Sequence, residues 1–270
     1  MVAYFKRQTW ICIVCGALLG GFAALFLFKD YLSSQGTVMK VTVIGMLLLV
    51  GVVLGRFVAS RLANRKLAAL TALLYSQSNP DAFIEKFSKV LASTPRDNIA
   101  YFDGCVKMSF AYEARGDFEN AVMLFNGADP SALKMHSLHA TTMIANQLMR
   151  VYLLAEDAVN AEVQLNRLKE LEEDANARAK MLASQIHACV ELGSNWLAFI
   201  NGEETDLAYI EEEAGLARND IYRAEMELLS ANILISQNKK KEAKEHLQTA
   251  CDLVPGLWAG KEAEKLIKSV

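Results

Sequence analysis

Two uncharged, strongly apolar runs constrain this chain more than any other feature. Trp10 to Phe28 is nineteen residues with no ionisable group except two thiols, and Val41 to Gly55 is fifteen uncharged residues. At about 1.5 Å of rise per helical residue, the first nearly matches a hydrocarbon core of roughly 30 Å. The second falls short of the usual span of about 17 to 25 residues. Its flanks extend it, because Lys40 can snorkel away from Thr37-Val38-Met39 and Phe57-Val58-Ala59 follow Arg56. The sequence therefore predicts two transmembrane helices, over about residues 10–28 and 38–58. A cleaved signal peptide fits the first run less well: the run exceeds an h-region of about 7 to 15 residues, and no A-x-A pattern follows Phe28.

The connection Lys29 to Gly36 has room only for a turn, so the spans form a hairpin with both chain ends on one side. Lys6, Arg7, Arg56, Arg61, Arg65 and Lys66 flank the open end, against Lys29 and Lys40 at the loop. That asymmetry predicts cytoplasmic termini and a cytoplasmic body. Each span carries a Gly-x-x-x-Gly pair, Gly16 with Gly20 and Gly51 with Gly55, which lets helix backbones approach closely. These four are the candidate membrane-helix packing residues, either between the two spans or in a dimer.

Charge divides the chain at the same place. Residues 1–66 carry eight Lys or Arg and one Asp, net +7, whereas the remainder carries twenty basic and thirty acidic residues, net −10. An acidic body is a poor non-specific nucleic-acid binder, because neutralising phosphates needs clustered cations, and no nucleic-acid partner is expected. The basic segment sits where anionic lipid headgroups are expected. Cys12, Cys15, Cys105, Cys189 and Cys251 are odd in number and scattered, so no disulfide framework follows. Cys12-x-x-Cys15 lies inside an apolar span without further ligands, and its thiols read as small packing side chains.

Beyond the spans the pattern is helix and short turn, with no alternation long enough for a strand. Neither Gly nor Pro occurs from Arg56 to Ser78, so the second span is expected to continue unbroken into the first helix of the body. Turn signals follow at Gln77-Ser78-Asn79-Pro80, Ser93-Thr94-Pro95, Gly116-Asp117, Gly127-Ala128-Asp129-Pro130, Glu156-Asp157, Gly193-Ser194, Asn201-Gly202, Gln237-Asn238 and Val254-Pro255-Gly256. An internal spacing organises them. Anchors recur at steps of nine, four and three: Tyr112, Ala121, Phe125, Ala128; Tyr152, Ala161, Leu165, Leu168; Leu234, Ala243, Leu247, Ala250; and Leu74, Phe83, Phe87, Val90. A helical hairpin accounts for the steps. A large residue ends one helix, a short turn intervenes, and a small residue early in the next helix lets the two axes close.

These anchors, with Met108 to Ala121 as the best unit and Ala231 to Pro255 the next, resemble the tetratricopeptide repeat family, a helix-turn-helix of approximately 34 residues. The unit around Tyr152 departs from the family with Met149 where a small residue is usual, and the unit around Leu74 has Phe83 in place of Ala. Residues 175–222 fit least well; their first helix is expected to run past Gly193 through Trp196 and Phe199. The implied fold is all-α: a transmembrane hairpin over residues 1–59, then a tetratricopeptide-like α-solenoid of about four to five helical hairpins over residues 60–270. The resemblance also implies a concave groove that takes a peptide or helix from a partner protein. Helical spacing from the anchors nominates Asp103, Val106, Phe110, Glu113, Asn146, Arg150, Leu153, Leu228 and Asn232 for its wall. The family's peptide clamp grips a carboxylate with Lys, Asn and Arg, but Val106 and Phe110 stand at two such positions, so that activity is not carried over.

Catalysis has no support. The phosphate-loop, nucleophile-elbow and His-Glu-x-x-His patterns are absent, and His136 and His139 have no companion ligand at a convincing spacing. No cofactor or metal is expected. The expected function is a membrane-anchored interaction scaffold or adaptor that holds a partner, itself possible in the membrane, at the cytoplasmic face. The alternatives are a self-assembling homo-oligomeric membrane component, or an envelope assembly factor with the repeats outside.

Overall fold

The structure, a computed structural model, describes residues 6–27 and 36–270. The described residues are all-helical, with twelve α-helices, one 3-10 helix and no strand. The chain divides into two compact units, Met1–Leu70 and Thr71–Val270, so the division falls beyond residue 59, where hydropathy alone places it. Phe28 and the Lys29–Gln35 connection lie outside the described residues.

In the first unit, α1 (Lys6–Leu27) runs antiparallel to the apolar part of α2 (Thr37–Tyr75). A β-carbon on Gly16 would stand 2.2 Å from the Gly51 carbonyl oxygen, one on Gly20 2.3 Å from that of Leu47, and one on Gly55 2.3 Å from that of Cys12. No side chain fits such spaces, so the backbone contact requires glycine at these positions. The outer faces carry exposed Leu18, Leu19 and Phe22 on α1 and Leu49, Val53 and Phe57 on α2. Helix α2 is long and apolar enough to cross a membrane, and α1 holds a shorter apolar stretch, Thr9–Ala24. The absence of helix breakers after Arg56 has the expected outcome: α2 continues to Tyr75 without interruption.

The second unit adds α3 (Pro80–Ala92), α4 (Ile99–Arg115), α5 (Phe118–Met123), a 3-10 helix (Pro130–His136), α6 (Ser137–Leu154), α7 (Ala158–Arg178) and α8 (Lys180–Ile200). Helices α9 (Leu207–Leu216), α10 (Asp220–Ser236), α11 (Lys240–Leu253) and α12 (Trp258–Ile267) complete it. Side chains of Asn79, Asn98, Asp117, Asp157, Asp206 and Asn219 accept hydrogen bonds from the first-turn N–H groups of α3, α4, α5, α7, α9 and α10. Each such cap is worth about 1 kcal/mol. Four turns share one backbone step. Ser78, Gly116, Glu156 and Asn238 have φ of 46°, 79°, 56° and 62°, and each stands five residues before an anchor: Phe83, Ala121, Ala161 or Ala243. After the last three, the next N–H donates back to the carbonyl of Tyr112, Tyr152 or Leu234, the large residues that begin those units. The left-handed residue ends one helix, and the returning bond sets the entry of the next.

Every anchor of the four units except Tyr112, Ala128 and Tyr152 is buried, and Ala121, Ala161 and Ala243 are no more than 1% exposed. These small residues let α5, α7 and α11 close on the helices before them. Each fully buried Phe or Leu on the stripe, such as Phe83 or Leu247, contributes about 1.5–3 kcal/mol. Helix α6 packs on α4 as well as on α7 and α8, while α12 returns against α11, α10 and α4. Trp258, opening α12, meets Phe118 edge-on with ring centroids 5.3 Å apart and lies over Gly116, where a β-carbon would stand 2.6 Å from the indole.

Helix α8 runs past Gly193 through Trp196 and Phe199 as expected, so the Gly193-Ser194 signal makes no turn; a β-carbon on Gly193 would stand 2.4 Å from the Met149 sulfur. The chain breaks instead at Ala179 and at Ala217–Asn219, where neither Gly nor Pro occurs. Helix α5 is one short element of six residues, because Gly127 adopts φ 75° and Asp129-Pro130 starts the 3-10 helix.

Candidate functional site

Helices α4, α6 and α10 meet at a buried charge cluster. Arg150 of α6 donates through one terminal nitrogen to Glu113 Oε1 at 2.7 Å and to Glu225 Oε2 at 2.6 Å. Gln147, one helical turn before Arg150, donates from Nε2 to Glu113 Oε2. The carboxylate-bearing residues are almost wholly withdrawn from water, at 0% for Glu113 and 1% for Glu225. The guanidinium lies over two rings, 5.5 Å from the centroid of Phe110 and 4.8 Å from that of Tyr222. Tyr75, in the last turn of α2, stacks on Phe110 with ring centroids 5.6 Å apart.

Two carboxyl groups share one cation here, and the proton balance follows from that. Burial pushes both carboxyls up, Glu225 well above the usual carboxylate range, where the neighbouring Glu113 charge raises it further and Arg150 works against the rise. Burial opposes the Arg150 charge, but the two carboxylates outweigh it and hold the guanidinium protonated. Glu225 Oε1 and Arg150 Nε have no hydrogen-bond partner. The cluster is thus short of one cation for two ionised acids, and a shared proton makes up the difference.

Beside the cluster, α6, α8, α10 and α12 enclose a cavity of about 210 Å³. The spacing 225, 228, 229, 232 puts Glu225, Leu228, Leu229 and Asn232 on one face of α10, and all four line it. Trp196 and Phe199 of α8 and Trp258 of α12 supply aromatic wall, while Glu156 and Glu262 stand at its edge. No Lys or Arg lines it. The C-terminal helix α12 therefore forms one wall of the cavity, through Trp258, Glu262 and Leu266.

Of the nine residues nominated for a groove, Phe110, Glu113, Leu153 and Leu228 are buried and Asp103, Val106, Asn146, Arg150 and Asn232 are partly exposed. Phe110, Glu113 and Arg150 join the charge cluster; Leu153, Leu228 and Asn232 line the cavity. Asp103 instead pairs with Lys107 on its own helix. Sequence reasoning missed Glu225, Gln147, Tyr222, Trp196 and Trp258. Glu225 was open to detection, because it lies three residues before the nominated Leu228, on the apolar stripe of α10 where a carboxylate has no other reason to be. Among the described residues no group of three His, Cys, Asp or Glu converges as metal ligands. His246 bonds Glu227 at 2.7 Å, and His187 bonds Glu172 at 2.9 Å.

Compared with known protein families, with curated proteins and with solved structures, the chain matches none.

Proposed function

We propose that this chain is a membrane-anchored interaction scaffold or adaptor of the tetratricopeptide kind, whose helical hairpins hold a partner protein on their inner face. The observation that carries this reading is the repeated hairpin geometry: four left-handed turn residues, each five positions before a buried helix anchor. Stacked hairpins of this type build protein-binding surfaces rather than catalytic centres. The inner cavity, with its aromatic wall and polar edge, supplies a place for the partner.

In this reading both α1 and α2 cross the bilayer as a hairpin, supported by the glycine contacts at Gly16, Gly20, Gly51 and Gly55 and by the apolar outward faces. The cationic flank Arg56, Arg61, Arg65 and Lys66 supports a cytoplasmic repeat domain beside anionic headgroups. Protease added to right-side-out cells leaves residues 80–270 intact and digests them after lysis; digestion in intact cells places the domain outside.

Crosslinking with mass spectrometry on native membranes tests the adaptor function. Links from Lys261 or Lys265 of α12 to a second protein are expected. Recovery of self-links alone overturns the adaptor and leaves a homo-oligomeric membrane component.

A further inference from the structure

We propose that the cavity between α6, α8, α10 and α12 receives a lysine or arginine side chain presented by the partner protein, its stem against the aromatic wall and its cation beside Glu225. The proposal rests on the adaptor reading and names what the inner face recognises.

Four observations converge on it. The wall carries three carboxyl groups, Glu156, Glu225 and Glu262, and no Lys or Arg lines it, although Lys265 pairs with Glu262 at 2.6 Å on the exposed side and Arg150 holds Glu225 from behind. Glu225 is 1% exposed, receives Arg150 on Oε2 and has no partner on Oε1. With Glu113 it makes two acids to one guanidinium, so a second cation completes the count that a proton otherwise fills. The volume, about 210 Å³, is below the roughly 300–1,000 Å³ of sites for drug-sized ligands and suits one long side chain.

The aromatic wall selects the shape of that side chain. Trp196, Phe199 and Trp258 offer faces on which an alkyl stem packs and a guanidinium or ammonium stacks. Asn232, two turns along α10 from Glu225, adds an amide for a backbone or a second donor. Charge favours the same class of partner, since residues 67–270 carry twenty basic against thirty acidic residues. Acidic segments are disfavoured on both grounds.

The chain carries its own reporter. Two of its three tryptophans, Trp196 and Trp258, line the cavity, so a Trp10→Phe background makes intrinsic fluorescence specific to it. The full-length protein in lipid nanodiscs is titrated with acetyl-Leu-Arg-Leu-amide, with the same peptide bearing uncharged citrulline, and with butylguanidinium. A saturable change is expected with the arginine peptide below about 10 mM, with citrulline binding at least about tenfold more weakly. Glu225→Gln abolishes that discrimination, and Glu85→Gln on the exposed face of α3 leaves it unchanged. Should Glu225→Gln disturb the helical circular dichroism, Glu262→Gln at the cavity edge serves in its place and weakens the arginine peptide about threefold. Equal titration by arginine and citrulline peptides, or no saturation, overturns the proposal. Butylguanidinium binding as tightly as the peptide also overturns it, in favour of a small organic cation. Loss of discrimination alongside crosslinks from α12 to a second protein defeats this inference alone; retained discrimination with only self-links defeats the adaptor reading.

Discussion

Arg150 joins three helices through a single guanidinium nitrogen and two aromatic faces, so its removal strands Glu113 and Glu225 away from water. Arg150→Met is expected to cost about 3–5 kcal/mol, a fall in Tm of roughly 10 °C, followed by circular dichroism in detergent micelles. Arg150→Lys recovers only part of that, because an ammonium lacks the planar guanidinium face that lies over Phe110 and Tyr222. A lysine variant as stable as the parent contradicts the bridging role. Titration provides a second test. Burial holds the Glu225 carboxyl well above the 4.5 of a free glutamate, so between about pH 4.5 and that raised value the folded state binds more protons than the unfolded one. Stability falls as pH rises across that window. Glu225→Gln cannot titrate, so the difference in Tm between variant and parent moves in the variant's favour from pH 5 to pH 8; a difference that does not move with pH excludes the assignment. Sequence reasoning reached Arg150 and Glu113 by helical period, which identifies a face but says nothing of what covers it. The cover comes from α10, whose sequence is far away, and from burial that no local pattern encodes.

Elements were legible where a turn residue and a cap coincide. Gly116-Asp117, Glu156-Asp157 and Asn201-Gly202 end helices in the structure, with Gly116, Glu156 and Gly202 at positive φ. They failed as signals where tertiary packing decides. The Gly193-Ser194 signal makes no turn, since α8 continues through it to Ile200 as the apolar spacing beyond it predicts, and the break at Ala179 carries no residue that would announce it. Close packing of the hairpins rests on small anchors. Ala243→Leu is expected to destabilise by about 1–3 kcal/mol through overpacking between α10 and α11, whereas Lys241→Leu on the exposed side of α11 changes Tm little. Similar losses from both substitutions are incompatible with a close helix contact at residue 243. In the first unit, Gly51→Leu is expected to separate α1 from α2 and slow the hairpin on an SDS gel. Gly45→Leu is the control, since nothing lies within 4 Å of a β-carbon there. Equal migration of the two variants removes the glycine contact as the source of packing.

For the whole molecule, composition separates a basic, apolar head from an acidic body, and the structure forms two compact units, Met1–Leu70 and Thr71–Val270. The all-helical class was legible from the lack of period-two alternation, and the hairpins from the nine-four-three spacing. The return of α12 against α4 and α10 was not, because it is a contact between segments that share no periodicity. That return gives α6, α8, α10 and α12 a defined cavity. The most direct measurement is site-specific photocrosslinking in intact membranes from a benzoylphenylalanine at Asn232, on the cavity wall, compared with one at Glu85, on the exposed side of α3. An adaptor with a binding inner face gives a discrete adduct to a second protein from position 232, absent from position 85 and weakened by Glu225→Gln. Equal adducts from both positions, or self-adducts alone from position 232, contradict it.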